Sequence, residues 1–156
     1  MWPFRKDLTS LAKSASDKEL IKAIRDQSPA RLEQFTELQR HVHMVWWLEA
    51  ESDNGTLEQY FSNTTGNDYP LLLPFLDRIG ARETAEVVRR FLQKLDATDA
   101  FLDRPERNRR IQALRDQDEP AWEHFVRNLT NQLDATSAKL WQATAAHARE
   151  TLSKDS

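Results

Sequence analysis

LQRHVHMVWWLEAE, residues 38–51, is the stretch whose reading decides the fold. Leu38, Val42, Val45 and Trp46 recur at the spacing of one α-helix face, with Phe35 a turn earlier. Met44, Trp47 and Leu48 fill the other sides. A helix that is apolar all round has to be enclosed by other helices. The segment from Ala30 to Glu51 therefore reads as the central helix, with Ser28 as its N-cap and Pro29 in its first turn. Glu49 shares the face of Val45 and Trp46, and a carboxylate placed there needs partners.

Working outward, every neighbouring segment also reads as helix. Leu8, Leu11 and Ala12 suggest a short one, and Asp17 opens another through Leu20, Ile21 and Ile24. After the turn cluster Ser52-Asp53-Asn54-Gly55, the Thr56-x-x-Gln59 pattern predicts a capping box and a helix through Leu57, Tyr60 and Phe61. Gly66 is suited to a left-handed helix cap. Pro70 begins a short apolar helix that Gly80 ends, and Ala85, Val88, Leu92 and Leu95 form the stripe of the next. Asp96 to Arg104 reads as a connector. Pro105 then opens a basic helix with Ile111 and Leu114 inward. A long last helix carries Trp122, Phe125, Leu129, Leu133 and Leu140, with a break expected near Asp134-Ala135-Thr136-Ser137. Nothing alternates with period two for long enough to be a strand. The expected fold is all-α, an irregular bundle of about six to eight helices packed by ridge-and-groove contacts. It forms one domain over 1–156, with 1–16 and 153–156 peripheral.

Composition agrees and excludes much. Only 3 glycines occur in 156 residues, too few for a fold built on tight hairpins, while 5 Trp and 7 Phe can fill a core. Cysteine is absent, which removes disulfides, thiolate metal sites and Cys nucleophiles. No stretch approaches the length of an apolar membrane span, and the start lacks the pattern of a secretory signal, so the expected compartment is the cytoplasm. The net charge of −3 is too mild to identify a partner, but its distribution is bipolar. Glu33, Glu37, Glu49, Glu51, Asp53, Glu58 and Asp68 stand against Arg40 alone. Arg104, Arg107, Arg109, Arg110 and Arg115 stand against Glu106 and are expected on a solvated face.

The most informative stretch is NGTLEQYFSNTTG, residues 54–66, polar amides around an aromatic pair between two glycines. It resembles the motif of the DNA-mimic-protein-like family, an all-helical bacterial domain mostly of unknown function. That motif runs roughly Asn-Gly-Gly-Phe-x-Gln-Tyr-Phe-x-Asn-x-x-Gly, with an acidic residue shortly before it. Glu49, Asn54, Gly55, Gln59, Tyr60, Phe61, Asn63 and Gly66 match it, whereas Thr56 and Leu57 depart from it. The resemblance covers about residues 30 to 150 and is specific around Asn54 to Gly66. These motif residues are read as structural or as lining a groove. Glu49 is expected to lie at least half-buried and to accept bonds from groups near Asn54 to Gln59.

No catalytic constellation is signalled. His41 and His43, two apart on a helix, point about 200° away from each other and cannot share an ion; His124 and His147 are isolated. No nucleophile elbow, phosphate loop, dinucleotide loop or zinc-protease motif occurs. No cofactor or metal is implied. The leading expectation is a non-enzymatic protein-protein interaction module of the bacterial cytoplasm. The alternative is a DNA mimic whose acidic face, Glu33, Glu37, Glu51, Asp53, Glu58 and Asp68, occupies a DNA-binding protein or transcription regulator. Glu33 and Glu37, a helical turn apart, would match phosphate spacing, and Glu51, Asp53 and Glu58 are expected at the surface. An uncharacterised enzyme is the third reading. The expected partner is another protein, a second copy of the chain included; direct contact with nucleic acid and with membranes is not expected. For an apolar interface the candidates are Trp2, Phe4 and Trp141.

Overall fold

The computed structural model describes residues 7–97 and 100–154. Among them lie eight α-helices, two 3-10 turns and no strand. Helices α1 (Leu8–Ser14) and α2 (Asp17–Asp26) form an N-terminal pair. Asp7 caps the first by accepting from the Thr9 amide, and Ser16 and Glu19 form a reciprocal capping box on the second. Trp2 and Phe4 lie outside the described residues.

The central helix α3 is Glu37–Asn54, shorter at its start than the periodicity suggests. Thr36 accepts from the Gln39 amide while the Gln39 side chain accepts from Thr36, and this box sets the helix start. Residues 29–36 therefore stay outside, with a 3-10 turn at Leu32–Gln34, and Phe35 turns edge-on to His43. The Ser52 to Asn54 cluster is the last turn of α3 rather than a loop.

Helix α4 (Leu57–Ser62) lacks the predicted capping box. The Thr56 side chain caps nothing; the amide of Leu57 donates to Thr130 Oγ1 instead, and the Gln59 amide group is spent on Glu51. A 3-10 turn at Thr64–Asp68 leads into α5 (Tyr69–Arg78), which carries Pro70 in its first turn and Pro74 inside. Gly80, at φ +75°, closes it. Then follow α6 (Arg82–Lys94), α7 (Arg104–Gln117) and α8 (Glu119–Lys154).

Helix α8 runs unbroken for 36 residues, without the expected break. The hydroxyls that would favour one are absorbed: Thr130, Thr136 and Thr144 donate to carbonyls three or four residues back in the same helix. The earlier helices pack on this rod, α5 through the edge-on contact of Phe75 with His147. Most of the core forms one cluster around Phe61, stacked on Phe91 at 4.4 Å, with Leu57, Leu72, Val88 and Leu129 fully buried. A second, smaller cluster joins Leu20, Ile21 and Ile24 of α2 to Leu38 and Val42 of α3 and Ala145 and Ala148 of α8.

Candidate functional site

The glycine-bounded motif folds into a polar knot. Glu51, not Glu49, is the carboxylate that serves it. Glu51 is buried and accepts from Gln59 Nε2 at 2.8 Å, Asn63 Nδ2 at 3.0 Å and Thr65 Oγ1 at 3.3 Å. The second half of the knot is Arg107, wholly buried although the basic helix was expected to be solvated. Its guanidinium donates to the carbonyls of Phe61, Asn63 and Leu102 and to Asn67 Oδ1, at 2.7–2.9 Å. Gly66 is required there for close approach rather than for a left-handed cap. A Cβ would sit 2.6 Å from the Tyr60 carbonyl oxygen and 3.1 Å from Arg107 Nη2. Tyr60 and Phe61 pack inward, and Asn54 and Gly55 are exposed at the end of α3. Gln59 and Gly55 line an open cleft facing Arg115 and Arg127.

The six carboxylates expected on one acidic face are scattered. Glu51 is inside the knot. Glu58 is partly buried, paired with Arg115 and accepting from the Trp122 indole at 2.7 Å. Glu37 pairs with Arg78, and Glu33 lies on the 3-10 turn, so the two do not share a helix. Burial raises the Asp68 pKa, with His43 and Arg40 pulling against it. Of the six, only Glu33 and Asp53 are exposed without an ion pair among the described residues.

A different set of acids converges where α3 and α8 cross in antiparallel register. Val42 and Ala145 meet in the smaller core. One turn on, Trp46 faces Trp141 at 6.4 Å between ring centroids. Next, Glu49 accepts from Ser137 Oγ at 2.5 Å. Last, Asp53 stands by Asp134, both exposed. The seam thus opens from buried apolar contact, through half-buried indoles, to carboxylates at the surface. Trp46 and Asp53 are about 10 Å apart along the axis. No Lys or Arg forms an ion pair with Glu49, Asp53 or Asp134 among the described residues. Burial raises the Glu49 pKa, hydrogen bonds from Ser137 and Trp141 temper it, and Asp53 and Asp134 raise it further. Asp134 is raised by burial and then by Asp53. In the sequence Asp134 and Ser137 read only as part of an expected helix break, because residues so far from Glu49 and Asp53 in the chain share no local signal with them.

The histidines occupy separate environments. His41 stacks on Phe75 at 4.0 Å and meets His147 at 5.3 Å, whereas His43 lies edge-on to Phe35 and Trp47. Burial first, then His147, lowers the His41 pKa to about 4, with Glu37 opposing. Burial also lowers His43 and His147.

The described residues form an all-helical body with an acidic seam that carries no ion pair among them. The chain belongs to the DMP19-like protein family, whose model matches residues 33–150. No curated protein and no solved structure was found to match it. Family membership suggests a DNA-mimic-like protein. No described helix is long and apolar enough to cross a membrane.

Proposed function

We propose that this protein is a non-enzymatic interaction module that docks a basic protein surface on the α3–α8 seam. One observation carries the reading: Glu49, Asp53 and Asp134 sit together without an ion pair among the described residues, and the charges of Asp53 and Asp134 add to burial in raising the Glu49 pKa. Like charges held together disfavour folding, whereas a positive partner surface would relieve their repulsion. Trp46 and Trp141 beside them add partly buried aromatic area of the kind that anchors interfaces. The non-enzymatic part is supported by where the histidines are spent: His41, His43 and His147 pack against rings.

DNA mimicry is the second reading, favoured by family membership. It would work through the seam carboxylates rather than through a broad acidic face, and the partner would then be a DNA-binding protein.

The test uses the full chain and a triple variant, Glu49→Gln, Asp53→Asn and Asp134→Asn, with helicity checked by circular dichroism. Partners recovered by the parent should be lost by the triple variant and weakened by salt, since screening acts over about 8 Å at physiological ionic strength. Displacement of that partner by duplex DNA would select mimicry. A partner held equally by both proteins, at low and high salt, would overturn the seam as the docking face.

A further inference from the structure

The tryptophan rung of the seam is already occupied from within. Arg25 of α2 lays its guanidinium over Trp46, 3.2 Å from the ring centroid. Its neighbour Asp26 is paired with Lys22, and no carboxylate pairs with Arg25 among the described residues. A partly buried guanidinium without an ion pair is held by the face of an indole. The next rungs along the same seam are carboxylates, Glu49 about 5 Å and Asp53 about 10 Å from Trp46 along the axis.

We propose that the Trp46–Trp141 pair, continuous with Glu49, Asp53 and Asp134, is an arginine-reading site for a basic protein partner, and that Arg25 fills it in the free protein until the partner's arginine displaces it. The proposal rests on the reading of the seam as the docking face and names the chemistry it recognises.

Three features point to arginine. The seam shows a guanidinium seated on its indole, so the surface is complementary to that group in the molecule itself. A planar guanidinium stacks flat on an indole while its edge N–H groups stay free for a carboxylate; an ammonium is a compact, strongly hydrated point charge. The acids without ion pairs lie along the same seam, within a few turns of the indoles, so a basic helix with cations two turns apart would meet the aromatic rung and the Asp53–Asp134 rung together. Arg25 can leave without unfolding α2, because Leu20, Ile21 and Ile24 hold that helix in the smaller core.

The experiment follows the indole N–H signals of Trp46 and Trp141 by NMR in the full-length parent, in Arg25→Ala and in Arg25→Met. The probe is an alanine-rich helical peptide with two arginines seven positions apart; a second peptide has lysines in their place. Both Arg25 variants should bind the arginine peptide about fivefold more tightly than the parent, a gain of the size a cation–π contact supplies. Both indole signals should move, the lysine peptide should bind more weakly, and Trp46→Leu in the Arg25→Met background should abolish the gain. Equal affinity for parent and variants, unmoved indoles, or equal binding of the lysine peptide would overturn the proposal. So would a gain confined to Arg25→Ala, since Arg25→Met keeps the packing stem and a difference would mean that α2 had opened. Peptide binding of this kind alongside a salt-insensitive natural partner would leave the arginine site standing and remove the seam as the docking face. Loss of the natural partner in the triple variant without any Arg25 effect would do the reverse.

Discussion

Arg107 and Glu51 show how much a single side chain holds at the motif. Four acceptors depend on the buried Arg107 guanidinium. Arg107→Ala would leave them dry and unpaired, and should cost about 3–5 kcal/mol in a urea titration. Glu51→Ala strands Gln59, Asn63 and Thr65 and should cost about 2–3 kcal/mol, whereas Glu49→Ala, which loses the bonds to Ser137 and Trp141 at a half-buried site, should cost less, about 1 kcal/mol. Equal melting of the two glutamate variants would contradict this division of labour. His41 supplies a pH test. Its pKa in the fold, about 4, lies below the ordinary value of 6.5, so the unfolded chain takes up the proton first. The stability from its neutral form is complete above pH 6.5 and is lost as pH falls through 4, by about 3 kcal/mol. Glu49, Asp68 and Asp134, with raised pKa values, act in the opposite sense on acidification. The contribution is therefore read as the difference between the parent and His41→Phe across that window, and a constant difference would sink it.

At the scale of elements, the two glycines that end segments answer to different physics. Gly80 has φ +75° and open space around its Cβ position, so Gly80→Ala pays only the left-handed strain, about 1 kcal/mol. Gly66 has no such strain to relieve but lies against backbone on two sides; Gly66→Ala forces the Phe61–Asn67 segment away from Arg107 and should cost about 2–4 kcal/mol. Thermal melts of the two variants side by side should reproduce that order. Helix boundaries obey the same kind of local competition. The Thr36–Gln39 box formed because nothing else wanted Gln39 more strongly than Thr36 and the Gln27 carbonyl. The Thr56–Gln59 box failed because a buried carboxylate outbid it for the Gln59 side chain.

Across the whole molecule, the two cores differ in depth. The larger is sealed by fully buried Phe61, Phe91 and Leu129, whereas α1 contributes no buried residue to the smaller one. Polar ties, from Arg149 to Asp17 and to the Ala15 carbonyl, close the N-terminal pair onto α8. Amide exchange should therefore be fastest in α1, intermediate in α2 and slowest in α6 and the middle of α8. Uniform protection from α1 to α8 would mean that the N-terminal pair is part of one cooperative core. The smaller core also adjoins the seam, since Trp141 packs against it.

What the amino-acid pattern determined by itself is what depends on neighbours within a few residues. Apolar periodicity around LQRHVHMVWWLEAE, the shortage of glycine and the absence of alternation specify an all-helical bundle, and the spacing in NGTLEQYFSNTTG specifies the family. The two-residue spacing of His41 and His43 likewise sufficed to separate them, since helix geometry does that locally. Tertiary structure alone decided which carboxylate went inside and which acids came together. Glu49 and Glu51 are both plausible partners for the motif by distance along the chain, but they point about 200° apart on α3; the packing of α4 put Glu51 over Gln59 and left Glu49 to α8. Arg107 and Asp134 carry no local mark of their roles: three of the four acceptors of Arg107, at Phe61, Asn63 and Asn67, lie 40 or more residues away in the chain, and Asp53 lies 81 residues from Asp134. Desolvation and charge pairing depend on distances in space, and these exist only once α8 has been laid against α3.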